Sequence, residues 1–452
     1  MIEKGRKVKL TINDLASGGD GVGRLEDGLV VFVPRTVPGE SIKAEITEVK
    51  KNYARGKIVE ILHPSSHRTS PPCPVFKECG GCQLQHITYK FQLKQKKGIV
   101  EDAFRKIADI TDDKINNILG MDFPWYYRNK SQLPVSVDNK GDIFTGFYAR
   151  GTHRTVKNDN CSIQHQLINR IKKETEDLMN EFELQVYNEQ EKSGLIRHLV
   201  IRCGTCTNQA LLILVTARED FPQKEQIASR IMERVPELKS VFQNVNPVQT
   251  NVVTGDKYIK ITGENKITEY LGQVQYKISP GAFFQVNTLQ AERLLRYISD
   301  RVNFRGDEII LDAYCGLGSI GLYLADQVEK VYGIEEVLEA IKDARQNALV
   351  NGIDNCKFFN GQVEEKFPEL CSRGIKPDII LVDPPRKGLS NRFCSQILKY
   401  TPQKVIYISC KPSTMARDIN MLNEKYNVDF IQPVDMFPQT YHIENIAVLN
   451  RK

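Results

Sequence analysis

Three cysteines stand close together as Cys73-x5-Cys79-Gly80-Gly81-Cys82, in a stretch rich in Pro, Ser and Gly. Thiolates at this spacing converge without help from distant parts of the chain. A fourth donor must come from elsewhere, and Cys161 is the best candidate. It follows the polar loop Lys157-Asn158-Asp159-Asn160 and lies outside an apolar strand. Soft thiolates suit zinc or an iron–sulfur cluster. The first gap is longer than the roughly two to four residues usual in zinc knuckles, which favours iron–sulfur. Cys203-Gly204-Thr205-Cys206 is a second C-x-x-C. It straddles an expected hairpin turn, whereas a redox pair belongs at a helix start, so a structural role is expected.

A second constellation reads Asp312-Ala313-Tyr314-Cys315-Gly316-Leu317-Gly318-Ser319-Ile320-Gly321. It follows an expected strand and opens an expected helix. Its glycines, Gly316 and Gly318 first, permit a tight turn and close approach of backbone to ligand. Glu335 stands 19 residues after Gly316, at the end of the next strand. A carboxylate there binds ribose hydroxyls. These features alone fit NAD or S-adenosylmethionine. Asp383-Pro384-Pro385 discriminates between them. At a strand end it sets a carboxylate and a rigid wall in the cofactor crevice, a motif that methyltransferases use and dehydrogenases do not require.

Cys410 sits in Ser409-Cys410-Lys411-Pro412-Ser413, at the mouth of another apolar strand. Pro412 and Ser413 are good helix starters. A thiol near a helix N-terminus and beside Lys411 is expected to have a lowered pKa. Glu444, in Tyr441-His442-Ile443-Glu444, follows a Pro-containing loop and is a candidate general base.

These groups need a scaffold, and the rest of the sequence outlines one. The 452 residues suggest about three domains. With 41% hydrophobic and 26% charged residues, the composition is that of a globular protein. Disordered chains, collagen-like fibres and coiled-coil rods are excluded. No apolar run approaches the ~20 residues of a spanning helix, and Met1–Lys7 does not read as a signal peptide. The expected location is the cytoplasm, where cysteines stay reduced. The net charge of +6 permits a nucleic-acid partner without requiring one.

Residues 1–62 read as short strands: Lys7–Ile12, Gly28–Pro34, Ser41–Val49 and Ala54–Leu62, with a turn at Gly18–Gly21. That spacing suggests a small β-barrel. Residues 63–92 hold the cysteine loop. A basic amphipathic helix is expected over 89–108, its polar face carrying Lys90, Lys94, Lys96, Lys97, Arg105 and Lys106. The helical segment 93–120 is expected to pack on the catalytic domain. Residues 121–275 mix strands and helices, with a hairpin of Leu195–Cys203 and Gln209–Thr216. From about residue 305 strands and helices alternate, as in a parallel doubly wound sheet.

Taken together these residues resemble the RNA (uracil-5-)-methyltransferase family, and within it the iron–sulfur-containing 23S ribosomal RNA branch. The resemblance runs over essentially the whole chain. It implies a multidomain α/β protein: a TRAM barrel (OB-like) over 1–62, a central α+β domain with an iron–sulfur loop, and a Rossmann-like S-adenosylmethionine methyltransferase domain over 276–452. It implies a 4Fe-4S cluster on Cys73, Cys79, Cys82 and Cys161. Ser279–Asn287 matches the family's entry to the catalytic domain, and Gln285 there is similar to a cofactor-contacting glutamine. Tyr314, Glu335 and Asp383 fall on the other cofactor positions. Cys410 falls on the nucleophile and Glu444 on the proton acceptor. Gln362, in Gly361-Gln362-Val363, stands where many methyltransferases carry an acidic residue facing adenine.

The implied substrate is 23S ribosomal RNA in a single-stranded or loop region, with the target base flipped out. No membrane and no obligate protein partner are implied. A transfer-RNA methyltransferase with the same chemistry is the first alternative. A non-catalytic RNA-binding iron–sulfur protein is the second, opposed by the presence of both Cys410 and Glu444. A NAD-dependent oxidoreductase is a third, disfavoured by Asp383-Pro384-Pro385.

Overall fold

The computed structural model describes residues 2–248, 250 and 252–452. Met1, expected in the barrel, and Gln249 and Asn251, expected in the central domain, lie outside the described residues.

The first five strands are β1 (Lys7–Leu15), β2 (Gly21–Arg24), β3 (Val30–Val33), β4 (Ser41–Val49) and β5 (Tyr53–His63). They close into a barrel in the order β1-β2-β3-β5-β4. Alternation along each strand sends Leu10, Ile12, Val31, Val33, Ile42 and Ile46 inward to one small core. The turn expected at Gly18–Gly21 runs straight into β2, which shares Gly21 with it and is not among the expected strands. Gly21 is required there, because a Cβ would lie 1.9 Å from Thr36 Oγ1.

Helix α1 (Tyr89–Ala108) follows the cysteine loop. The central domain holds β6 (Lys130–Val137), β7 (Ile143–Tyr148), β8 (Thr155–Lys157), α2 (Gln166–Glu181), β9 (Ile196–Cys203), β10 (Ala210–Thr216), α3 (Lys224–Arg234), β11 (Leu238–Val245) and β12 (Lys257–Gly263). Its sheet runs β12-β11-β10-β9-β6-β7-β8. The expected hairpin is present as antiparallel β9 and β10. A separate hairpin, β13 (Ile267–Leu271) and β14 (Val274–Ile278), leads to α4 (Thr288–Val302).

The C-terminal unit alternates β15 (Ile309–Ala313), α5 (Ser319–Tyr323), β16 (Lys330–Glu335), α6 (Leu338–Val350), β17 (Cys356–Asn360), α7 (Val363–Ser372), β18 (Ile379–Val382), α8 (Asn391–Tyr400), β19 (Lys404–Ser409) and α9 (Pro412–Leu422). Two long strands close it, β20 (Tyr426–Val434) and β21 (Glu444–Arg451). The order is β17-β16-β15-β18-β19-β21-β20. The first five strands are parallel, and β21 inserts antiparallel between β19 and β20. The strand order reverses between β15 and β18, which makes their carboxyl ends the switch point where such sheets bind ligands. The helix that the glycine motif opens is short: α5 ends at Tyr323 and a 3-10 turn, Ala325–Gln327, follows.

One feature of α1 departs from expectation. Lys96 is fully buried, not on the solvated face. Its Nζ donates to Asp435 Oδ1 at 2.5 Å and to the Phe437 carbonyl at 3.2 Å. A buried ammonium is tolerated only when paired in this way. α1 therefore docks against α9 and the loop after β20.

Candidate active site

The chain leaves β15 through a left-handed turn: φ is +66° at Tyr314, +55° at Gly316 and +84° at Gly318. A Cβ on Gly316 would meet nothing within 4 Å, so this corner is an open cradle. Glu335, at the end of β16, accepts from the Gly316 N–H at 3.2 Å and from the Val337 N–H at 2.9 Å. Tyr314 sets its ring edge-on to Phe393 at 6.1 Å. Asp383 follows β18 directly. Tyr314, Gly316, Gly318, Glu335 and Asp383 are thus gathered at the ends of three adjacent parallel strands. Gln285 arrives separately, on the segment before α4. It is held through its backbone, its carbonyl accepting from Asn129 Nδ2 at 3.0 Å.

Cys410 and Glu444 meet because of strand register. Ser409 pairs with Asn445 at the end of β19 and β21, which brings Cys410, the next residue, near Glu444. Asp383 and Arg386 come from the adjoining corner after β18. Arg386 is close enough to favour the Cys410 thiolate and lies 3.1 Å from His442 Nδ1. Burial pushes Glu444 well above the carboxylate range, Asp383 adds to this, and Arg386 opposes it. Oε1 of Glu444 has no hydrogen-bond partner among the described residues. Burial also pushes Asp383 up, to about 7. Desolvation of this kind marks functional carboxylates.

The thiol corrects one expectation. Cys410 is raised, not lowered: burial is the largest cause and the neighbouring Glu444 adds to it. The sequence reading credited Lys411 and the helix end. Lys411 is the exposed N-cap of α9, and Cys410 lies one residue before it. The cation that favours the thiolate is Arg386. Arg386, the residue after Asp383-Pro384-Pro385, has no role in the sequence reading. That reading also passed over Asp312, buried beneath the cradle and pushed up to about 8 by burial. A carboxylate on an apolar strand was the available signal.

A cleft of 1470 Å³ opens onto Cys410, Arg386 and His442. Lys90, Lys94 and Lys97 of α1 share its lining with Arg24 and Phe32 of the barrel. Lys90, Lys94, Lys97 and Lys106 of α1 therefore look into a groove that reaches the thiol, whereas Arg105 pairs with Asp102 and Asp112.

Cys73 and Cys161 are buried, and Cys79 and Cys82 are half-buried. Cys73 raises Cys79, Cys73 and Cys79 raise Cys82 and Cys161, and Cys161 raises Cys82. Burial is the main cause, pushing Cys161 up to about 11. Among the described residues, no group of three or more His, Cys, Asp or Glu side chains is arranged to hold a metal ion. Cys203 is buried and Cys206 exposed. The Thr205 and Cys206 N–H groups donate to the buried Glu269.

A parallel sheet with a ribose-type carboxylate and an Asp-Pro-Pro corner at its switch point is a nucleotide-cofactor methyltransferase domain. Joined to a barrel and a basic groove, it defines an RNA-modifying enzyme by class. Comparison with known proteins narrows the class. The family described as tRNA (Uracil-5-)-methyltransferase matches residues 88–452, and the TRAM domain matches residues 3–59. The chain belongs to this methyltransferase family and is an S-adenosylmethionine-dependent RNA (uracil-5-)-methyltransferase.

An uncharacterized RNA methyltransferase of Halalkalibacterium halodurans is 41% identical over 452 residues, covering 100% of this chain and 98% of that protein. One from Staphylococcus aureus is 40% identical over 442 residues, covering 98% and 97%. Among solved structures, the Pyrococcus abyssi tRNA (uracil-54, C5)-methyltransferase in complex with S-adenosyl-L-homocysteine matches with a TM-score of 0.78. It is 28% identical, with 98% of this chain and 99% of that chain covered. No helix among the described residues is long and apolar enough to cross a membrane.

Proposed function

We propose that this enzyme methylates carbon 5 of one or two specific uridines in 23S ribosomal RNA through a covalent Cys410–uracil adduct. The observation that supports the mechanism is the register of β19 and β21, which ends at Ser409 and Asn445 and so brings Cys410 near Glu444. Carbon 5 of uracil is a poor nucleophile. The Cys410 thiolate adds to carbon 6, and the C5=C6 electron pair moves toward carbon 5 as an enolate. S-adenosylmethionine, when bound, supplies the electrophilic methyl that carbon 5 takes. The open corner at Gly316 and the half-exposed Glu335 and Asp383 fit a nucleoside-bearing cation. Gln285, Tyr314, Gly316, Gly318, Glu335 and Asp383 would hold it.

Glu444 then takes the proton from carbon 5. The freed electron pair re-forms C5=C6, the C6–S bond breaks, and Cys410 leaves as thiolate. Arg386 favours the thiolate both before addition and on departure. The groove between barrel and α1 holds the RNA backbone, with salt-sensitive affinity.

The same reading assigns Cys73, Cys79, Cys82 and Cys161 to a 4Fe-4S cluster. Four desolvated thiols, three of them raised by at least one of the others, would form a soft all-sulfur donor set. Its role is to pin the loop. Iron and sulfide content of anaerobically purified protein, with Cys161→Ser as control, tests this. Iron-free protein with unchanged activity overturns it.

The barrel together with the cysteine loop favours the ribosomal substrate. A transfer-RNA substrate is the second reading, favoured by the likeness to the Pyrococcus abyssi enzyme. Labelled S-adenosylmethionine with unmodified 23S RNA and with bulk transfer RNA, followed by mapping of 5-methyluridine, separates them. Label in 23S RNA is expected. Label in transfer RNA alone keeps the mechanism and moves the substrate. Cys410→Ala is expected to abolish both transfer and adduct. Normal turnover in that variant overturns the mechanism.

A further inference from the structure

The loop Asp435–Ile443 joins β20 to β21 and delivers Glu444 to the site. Its tip is Gln439, 2% exposed. Gln439 has φ +69°, a left-handed conformation rare for a residue with a side chain. Such a conformation persists only where the surroundings over-determine it. They do so here. The Gln439 carbonyl accepts from the N–H groups of both Gln83 and Leu84, each at 3.0 Å. Its side-chain Oε1 accepts from Gln92 Nε2 of α1 at 2.9 Å. Gln92 in turn donates to the Leu84 carbonyl at 3.0 Å. A Cβ on Gly19 of the barrel would lie 3.0 Å from Gln83 Cβ and 3.4 Å from Tyr441 Cβ. The cysteine loop and α1 therefore converge on Gln439, and Gly19 of the barrel packs beside Gln83 and Tyr441.

We propose that Gln439 is a positioning residue for proton removal, tying Glu444 to the cysteine loop through the Gln83 and Leu84 amides. Gln83 follows Cys82 directly in the chain. Any change in how Cys82 is held is passed to the Gln83 amide, then to Gln439, and then along four residues to Glu444. Cys410 lies between β19 and α9 in the chain, outside the loop that carries Glu444. Loosening the tie therefore slows the second half of the reaction and leaves the first half intact. This inference rests on the reading of Glu444 as the base.

The test follows adduct formation and adduct release separately, by denaturing gel in a quenched time course. Gln83→Pro removes one donor to Gln439, and Gln439→Val forces a β-branched residue into the left-handed region. Both are expected to slow release about tenfold or more. The rate of adduct formation and the KM for RNA stay near wild type. Gln439→Gly keeps the carbonyl and tolerates the dihedral, so its release stays near wild type. Thermal melts confirm folding of each variant.

Glu444→Gln is the reference. If it fails to accumulate adduct, the assignment of the base falls. If it accumulates adduct while Gln83→Pro and Gln439→Val release normally, the positioning role alone falls. Equal slowing of formation and release would also overturn it, since that marks a merely structural effect.

Discussion

Two buried carboxylates bracket the same loop and have opposite surroundings. Asp435, at its start, is enclosed by Lys96 Nζ at 2.5 Å and the Tyr89 hydroxyl at 2.9 Å. Glu444, at its end, has an orphaned oxygen and a second carboxylate, Asp383, as neighbour. Both are essentially removed from water. Burial of a charge with partners fastens α1 to the catalytic sheet. Burial without partners stores a basicity that water would otherwise quench. The loop is thus anchored at one end so that the other can be left unsatisfied.

The largest expected effect is on rate. Glu444→Gln keeps shape and loses the proton acceptor, so turnover is expected to fall by about 10²–10⁴. The adduct accumulates and the melting temperature does not drop. A matching loss of stability would place Glu444 with Asp435 as a structural group and dissolve the contrast.

The next effect is on stability. Lys96→Met leaves Asp435 charged, buried and short of its cation, at a cost of roughly 3–5 kcal/mol. Adding Asp435→Asn is expected to recover most of that loss. Urea midpoints of the two variants measure it. An additive double mutant would show that the pair does not act as a unit.

A smaller effect is on pH dependence. Cys410 and Glu444 are both raised, and both must be deprotonated to act. Protonated forms dominate at low pH, so adduct formation is expected to rise with pH through neutrality and beyond. Arg386→Ala removes the group that pulls the thiol down, and the rise is expected to move to higher pH. A bell with its maximum below neutrality, or no shift in the variant, contradicts the site electrostatics.

Much of this site was legible in the sequence because parallel sheets put ligands at strand ends. Gly316, Glu335, Asp383 and Cys410 each follow a short apolar run, and strand-end position alone marks them. The meeting of Cys410 with Glu444 was not legible from spacing, because it depends on β21 inserting antiparallel between β19 and β20. The direction of the Cys410 shift was misread for a related reason. Local sequence shows Lys411, while the groups that decide the shift, Glu444 and Arg386, arrive from distant segments. Lys96 was placed with its helical neighbours on the solvated face, since a heptad pattern does not reveal a carboxylate 339 residues away. In the barrel, alternation identified four strands, but the glycine-rich β2 carries too few side chains to show a period.

Asp312 sharpens the contrast between satisfied and unsatisfied carboxylates, for it is half of each. One oxygen accepts from the Gly321 N–H at 3.0 Å, and the other has no partner among the described residues. Burial raises it from 3.8 to about 8. The sign of the linkage follows. Below the ordinary carboxylate range the acid is protonated in both folded and unfolded chains, and the fold is at its full relative stability. As pH rises toward about 8, the unfolded chain gives up the proton while the fold retains it. Unfolding is then favoured progressively, and the loss levels off above that pH. Asp312→Asn mimics the protonated acid and does not titrate. The variant is expected to melt at or below the wild-type temperature near pH 5. It then gains on the wild type by roughly one to a few kcal/mol as pH approaches 8. Parallel melting curves would mean that Asp312 is ionised in the fold. The cradle would then rest on a buried negative charge instead of a neutral acid.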